Sequence, residues 1–111
     1  MTQTNKDARS FLPLTSAVMH ILLSLTDGKR HGYAISKEVA ERTQGDVKLG
    51  PGTLYGTLGR MVDSGLVADA GGDDEGRRRF YEMTPLGRDV LALEARRLAE
   101  VVSAARAKAV I

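Results

Sequence analysis

"GPGTLYGTLGRM", residues 50–61, sets two patterns against each other. Leu54, Leu58 and Met61 recur at helical spacing, with Val62 next, so the stretch predicts an amphipathic helix. It also carries Gly50, Gly52, Gly56 and Gly59, and an interior glycine costs a helix about 0.5–1 kcal/mol relative to alanine. At about 100° per residue the leucines, Met61 and Val62 take one side. Gly52, Thr53, Gly56, Gly59, Arg60 and Asp63 fall opposite, with Tyr55 on the flank. A solvent face is normally filled with Lys, Glu, Gln or Ala, which favour helix. This one is nearly bare, with one hydroxyl and one guanidinium before Asp63 at its end.

Small residues let a helix backbone approach another surface closely. Two surfaces fit equally on this stretch alone: a DNA duplex, and another helix or partner protein. For DNA, Thr53 can touch a thymine methyl or donate to a base edge or phosphate, and Arg60 can reach a phosphate or a guanine. Pro51 or Gly52 opens the helix, and proline suits the first helical position. Its free N–H groups and positive dipole end suit a phosphate.

The neighbouring charge favours DNA. Net charge is only +2, so the argument rests on where the basic residues sit. Lys29 and Arg30 lie in "GKRHGY" (28–33), Lys48 precedes the glycine helix, and Arg77 and Arg78 belong to "RRR" (77–79). Each Lys or Arg that neutralises a phosphate adds a salt-dependent contribution. The alternatives are a solvated strand edge that resists aggregation for "RRR" and a plain polar turn for "DGKRHG".

Residues 1–10 are polar and read as a flexible arm. Val18, Ile21, Leu22 and Leu25 form one face of a first helix that starts near Thr15 or Ser16 and ends at Asp27-Gly28. A second helix runs from about Gly32 to Thr43, with Ile35 and Val39 inward and Glu38 and Arg42 as an i, i+4 pair. "QGDVKLG" is a turn. The glycine helix is the third and ends at "DSG", where Gly65 suits a left-handed cap. "LVADA" (66–70) and "RRRFYEM" (77–83) read as strands joined by the hairpin loop "GGDDEG". Thr84 and Pro85 open a long helix of about 25 residues, roughly 38 Å. The expected fold is mainly α: an α+β winged helix-turn-helix with three helices, a two-stranded β-wing and a long C-terminal helix. A DNA-binding domain spans 11–84 and a dimerisation helix spans 85–111.

On that last helix Leu86, Val90 and Leu93 can pack down on the winged domain. Leu91, Ala95, Leu98, Val102, Ala105 and Ala109 recur at alternating steps of four and three, a heptad seam that predicts dimerisation. Its alanines bury little area, so the first helix or the N-terminal arm is expected to add to the interface. Two-fold symmetry predicts a pseudo-palindromic operator, read by recognition helices about 34–36 Å apart.

Other chemistry is poorly provided for. With no cysteine there is no disulfide, thiolate metal site or cysteine nucleophile, which suits a reducing cytoplasm. His20 and His31, the two histidines, are too far apart for an HxxxH ligand pair, so no metal is expected. No spacing points to a catalytic set, and "GPGTLYG" lacks the Lys-Ser/Thr of a phosphate-binding loop. No cofactor and no enzymatic activity are expected. Residues 11–25 are apolar but shorter than a membrane span, interrupted by Pro13, Ser16, His20 and Ser24, and followed by no small-residue cleavage site. The expected setting is cytoplasmic, away from membranes.

"HGYAISKEV", "PGTLYGTLGRMVDSGLV" and "GRRRFYEMTPLGRDVL" together resemble the PadR family of bacterial transcription regulators, over residues 12 to about 98. The resemblance implies a dimeric repressor of its own or a neighbouring operon, commonly released by a small molecule. It implies a third helix in the major groove and a wing against the minor groove or backbone. By position the family's DNA-facing tyrosines fall on Tyr33 and Tyr55, and the start of the recognition helix on Pro51, Gly52 and Thr53. The chain departs from the pattern in three places. Gly56 stands where the family often has proline or a larger residue. Asp73, Asp74 and Glu75 at the wing tip would be repelled by phosphates, which moves the wing contact to Arg77 and Arg78. Some members bind flat drugs between tryptophans in the dimer pore, and this chain has no Trp. The competing reading is a winged-helix protein–protein interaction module that docks through the glycine face without binding DNA.

Overall fold

The structure, a computed structural model, describes residues 8–72 and 78–111. Helix α1 (Ser16–Ser24) begins where the Thr15 hydroxyl accepts the Val18 N–H at 3.2 Å. A two-residue strand β1 (Arg30–His31) leads into α2 (Gly32–Arg42). There His31 is the cap, its Nδ1 accepting the Ala34 N–H at 3.3 Å. Helix α3 (Pro51–Asp63) carries its proline in the first turn. It is closed by Gly65 at φ +86°, a conformation that favours glycine. Strands β2 (Val67–Gly72) and β3 (Arg79–Met83) form the wing. Helix α4 (Pro85–Ala107) starts at Thr84, whose hydroxyl accepts the Gly87 N–H at 3.0 Å and donates to the Gly65 carbonyl at 2.6 Å.

The expected periodicities pack together. Ile21 and Leu22 from α1 and Leu25 at its C-cap meet Ile35 and Val39 from α2, and Leu54, Leu58 and Met61 from α3, all essentially buried. Val67 and Val90 close the core from the wing and α4. The Arg42 guanidinium pairs with Glu38 at 2.8 Å and donates to the His20 carbonyl at 2.9 Å, tying α2 to α1. Burial and the Arg42 charge both lower the pKa of the His20 imidazole below its ordinary value.

Four features differ from the sequence reading. The wing is part of a three-stranded antiparallel sheet, ordered β1-β3-β2, with Arg30 opposite Tyr81 and His31 opposite Phe80. Two residues are too few for a period-two signal, so β1 read as a turn. β2 runs two residues further than expected, into Gly71 and Gly72, through an irregularity after Asp69. Residues 8–10, assigned to a flexible arm, are helical, and Ala8 is fully buried. A single alanine carries no periodicity that would have marked it. Leu91, assigned to the dimer seam, is buried in the chain's own core.

A buried carboxylate joins two segments distant in the chain. Glu94 on α4 is 2% exposed, and its Oε2 accepts the Leu14 N–H at 2.8 Å. Arg97 donates to the same carboxylate, and this bond holds Glu94 below the usual carboxylate range against the opposing effect of burial. Beyond this anchor α4 leaves the domain, with Leu98, Val101 and Val102 exposed.

Candidate nucleic-acid interface

The outer face of α3 is open. A Cβ added at Gly52 or Gly59 would have no neighbour within 4 Å, and at Gly56 it would meet Arg60 Nη1 at 3.7 Å, an ordinary contact. No packing within the described chain therefore requires these glycines. Two others are different. A Cβ at Gly87 would lie 2.1 Å from the Leu66 carbonyl oxygen. One at Gly32 would lie 2.6 Å from Tyr55 Oη, so this glycine lets the Tyr55 ring rest across the first turn of α2.

Around the bare face the candidate residues divide. Pro51 and Thr53 are exposed at the start of α3, with Lys48 exposed just before it. Tyr33 (70% exposed) and Tyr55 (46%) flank a notch of about 230 Å³ between α2 and α3. Behind it the Ser36 hydroxyl donates to the Leu49 carbonyl at 2.9 Å and fixes how the chain approaches α3. Arg60 is exposed, its guanidinium 3.3 Å from the hydroxyl of buried Thr57, and among the described residues it makes no ion pair. Lys29 is exposed with its ammonium 5.6 Å from the Phe80 ring centre, which places a cation beside the wing.

The structure separates some residues that the sequence grouped. Arg30 is committed within the fold: its Nε donates to the Ser24 carbonyl at 2.8 Å, and its guanidinium lies 3.3 Å from Glu38. Within "RRR", Arg79 pairs across the sheet with Asp69. The Asp69 carboxyl is held low, first by the Gly71 N–H and then by Arg79. Arg78 is exposed and makes no ion pair among the described residues. Arg77 and the acidic tip Asp73, Asp74 and Glu75 lie outside the described residues.

Sequence reasoning placed no role on Gly32 or Thr57. Gly32 sits in "HGY", where only a close approach marks it, and only its burial marks Thr57. On α4, Ala95, Leu98, Val102 and Ala109 are exposed and Ala105 is half-buried.

Together the geometry is a helix with an uncovered backbone face, two exposed tyrosines beside its start, Lys48 just before it and exposed Lys29 and Arg78 at the wing. The chain is similar to known proteins. The Transcriptional regulator PadR-like family model matches residues 21–93. The transcriptional regulator Rv3488 of Mycobacterium tuberculosis is 36% identical over 84 residues, covering 75% of this chain and 76% of that protein. An uncharacterized 37.1 kDa protein in transposon TN4556 of Streptomyces fradiae is 41% identical over 85 residues. That match covers 77% of this chain but spans only 24% of that protein's length. Among solved structures, a PadR family transcription regulator from Clostridium difficile R20291 superposes with a TM-score of 0.71 at 25% identity, covering 83% of this chain and 96% of that one.

Proposed function

The chain belongs to the Transcriptional regulator PadR-like family, and we propose that it works as a homodimer that represses its own or a neighbouring operon. In this reading α3 lies in the major groove of a pseudo-palindromic operator. The observation that carries it is the open face at Gly52, Gly56 and Gly59, where the chain's own packing demands no glycine. Those glycines cost helix stability, and a closely approaching duplex backbone gives them a use. Thr53 and Arg60 then face base edges or phosphates, and the start of α3 at Pro51 presents its N–H groups to a phosphate. Tyr33 and Tyr55 reach the flanking backbone, with Lys29 and Lys48 beside them. Arg78 supplies the wing contact, and Arg77 is proposed with it from the sequence. Arg30 contributes by fixing the turn, since its guanidinium already serves Ser24 and Glu38.

Support for two copies comes from α4. Beyond Glu94 its apolar side chains Leu98, Val101 and Val102 are exposed on a helix that has left the domain. Among the described residues no helix is long and apolar enough to cross a membrane, and a regulator of this kind works in the cytoplasm, where the chromosome is.

The test is selection of random duplexes on the purified protein, followed by anisotropy of the winning sequence across a salt series. An enriched inverted repeat with a steep salt slope is expected. No enrichment, with weak duplex binding even at low salt, would turn the reading towards a protein-docking module.

A further inference from the structure

A groove of about 580 Å³ runs along α3 beside the bare face. Phe11, Leu14 and Val18 form one wall, and Met61 and Leu66 lie across from them. Its volume falls within the range of small-molecule sites, about 300–1,000 Å³, which are mostly apolar with a few placed polar groups. Here those groups come from one stripe of α3: Thr53, Thr57 and Arg60, at i, i+4 and i+7. Arg60 is the only cation among the residues lining the groove, and no lining residue is acidic.

We infer that this groove binds a small amphipathic organic anion, its apolar body between the Phe11–Val18 segment and α3 and its charged end on the Arg60 guanidinium. The inference deepens the regulator reading above and rests on it for its consequence. Arg60 is held at the groove by Thr57 at 3.3 Å, and the missing side chain at Gly56 leaves its other edge uncovered. The glycine stripe lies about a quarter turn away around the helix. One guanidinium therefore serves either the anion or a phosphate, and ligand in the groove weakens DNA binding.

The probes are 8-anilinonaphthalene-1-sulfonate and its neutral counterpart N-phenyl-1-naphthylamine, titrated by fluorescence into the full chain. The sulfonate is expected to saturate at one per chain and to bind about tenfold tighter than the neutral probe. Arg60→Met removes that preference and leaves the neutral probe unchanged, while Arg60→Lys retains part of it. Ala17→Phe, which fills the groove, weakens both probes at least about tenfold. Ser64→Phe, from the α3 side, does the same should Ala17→Phe fail to fold by circular dichroism. Three results overturn the inference: binding that does not saturate, equal affinity for the two probes, or sulfonate binding indifferent to Arg60→Met and to the filling variants. A filling variant that converts a dimer to a monomer in light scattering also overturns it, because a second copy would then be the occupant. Anisotropy of a labelled duplex in the same samples separates the two readings. A chain that binds no duplex at any salt defeats the DNA reading, while the probe titrations still decide the groove. A chain that binds duplex equally well with and without bound sulfonate defeats the proposed competition for Arg60.

Discussion

The outer face of α3 and the distal half of α4 are both exposed, but in opposite ways. On α3 the surface is defined by missing side chains, Gly52, Gly56 and Gly59, with open space above them. On α4 it is defined by apolar side chains that the domain leaves uncovered, Leu98, Val101 and Val102. Burying apolar area stabilises association by about 25 cal/mol per Å². The α4 surface gains from that when it meets another apolar face. The glycine face has almost no such area and gains only through its backbone, helix dipole and flanking cations, the means by which a helix holds a phosphate backbone. The comparison separates a surface suited to protein from one suited to nucleic acid, and it argues against the glycine face as a protein-docking site.

The sharpest break in this comparison comes from glycines of the two kinds. Gly87→Ala drives a methyl to 2.1 Å from the Leu66 backbone oxygen, where α4 crosses the start of the wing. It should destabilise the fold by about 3 kcal/mol or more, read as a lower midpoint in urea unfolding. Gly59→Ala should instead stabilise the fold by about 0.5–1 kcal/mol, read as a higher midpoint, because the space is empty and alanine favours helix. If Gly59→Ala also destabilised, the glycines of α3 would be serving the fold after all.

Gly56→Glu comes next. Its Cβ has room, so the protein should fold, yet a carboxylate would stand where the duplex is proposed to approach. Operator affinity should fall by at least about 100-fold in anisotropy. Binding at the parent's strength by the folded variant would show that this face does not meet DNA. On the other surface, Val102→Asp should weaken self-association by about 100-fold in sedimentation equilibrium, with helix content unchanged. An unaffected dimer would move the interface off α4.

Local signals in the sequence carried most of the fold. Thr15 and Thr84 cap their helices as hydroxyls at such positions do, Pro51 opens α3, and Gly65 takes the positive φ that "DSG" foreshadowed. The bare face was legible too, because it is a property of one helix's periodicity. What the sequence hid depends on distant partners. Glu94 is buried because its carboxylate takes the Leu14 N–H, 80 residues away in the chain. Leu91 fits a heptad seam by spacing, yet the packing of α4 on the domain buries it in the core. Arg30 reads as one more cation in a basic turn, and only the fold shows its bonds to Ser24 and Glu38. Charge counts along a chain cannot tell a committed guanidinium from a free one.

That distinction sets the smallest effect and its test. In "RRR" both Arg78 and Arg79 are exposed, but Arg79 is neutralised by Asp69, whereas Arg78 makes no ion pair among the described residues. Arg78→Ala should weaken every duplex alike, by a few fold, and flatten the slope of log affinity against log salt by about one. Arg79→Ala should change the salt slope less, because the lost charge was already balanced, and should instead loosen the β2–β3 pairing at Asp69. Thr53→Ala, on α3, should leave the salt slope alone and blunt the preference for operator over random duplex. Measured side by side, the three variants separate charge that reaches DNA, charge retained by the fold and contacts that read sequence. Equal slopes for Arg78→Ala and Arg79→Ala would mean that the Asp69 pair opens when DNA binds, so that both wing arginines count towards phosphate neutralisation.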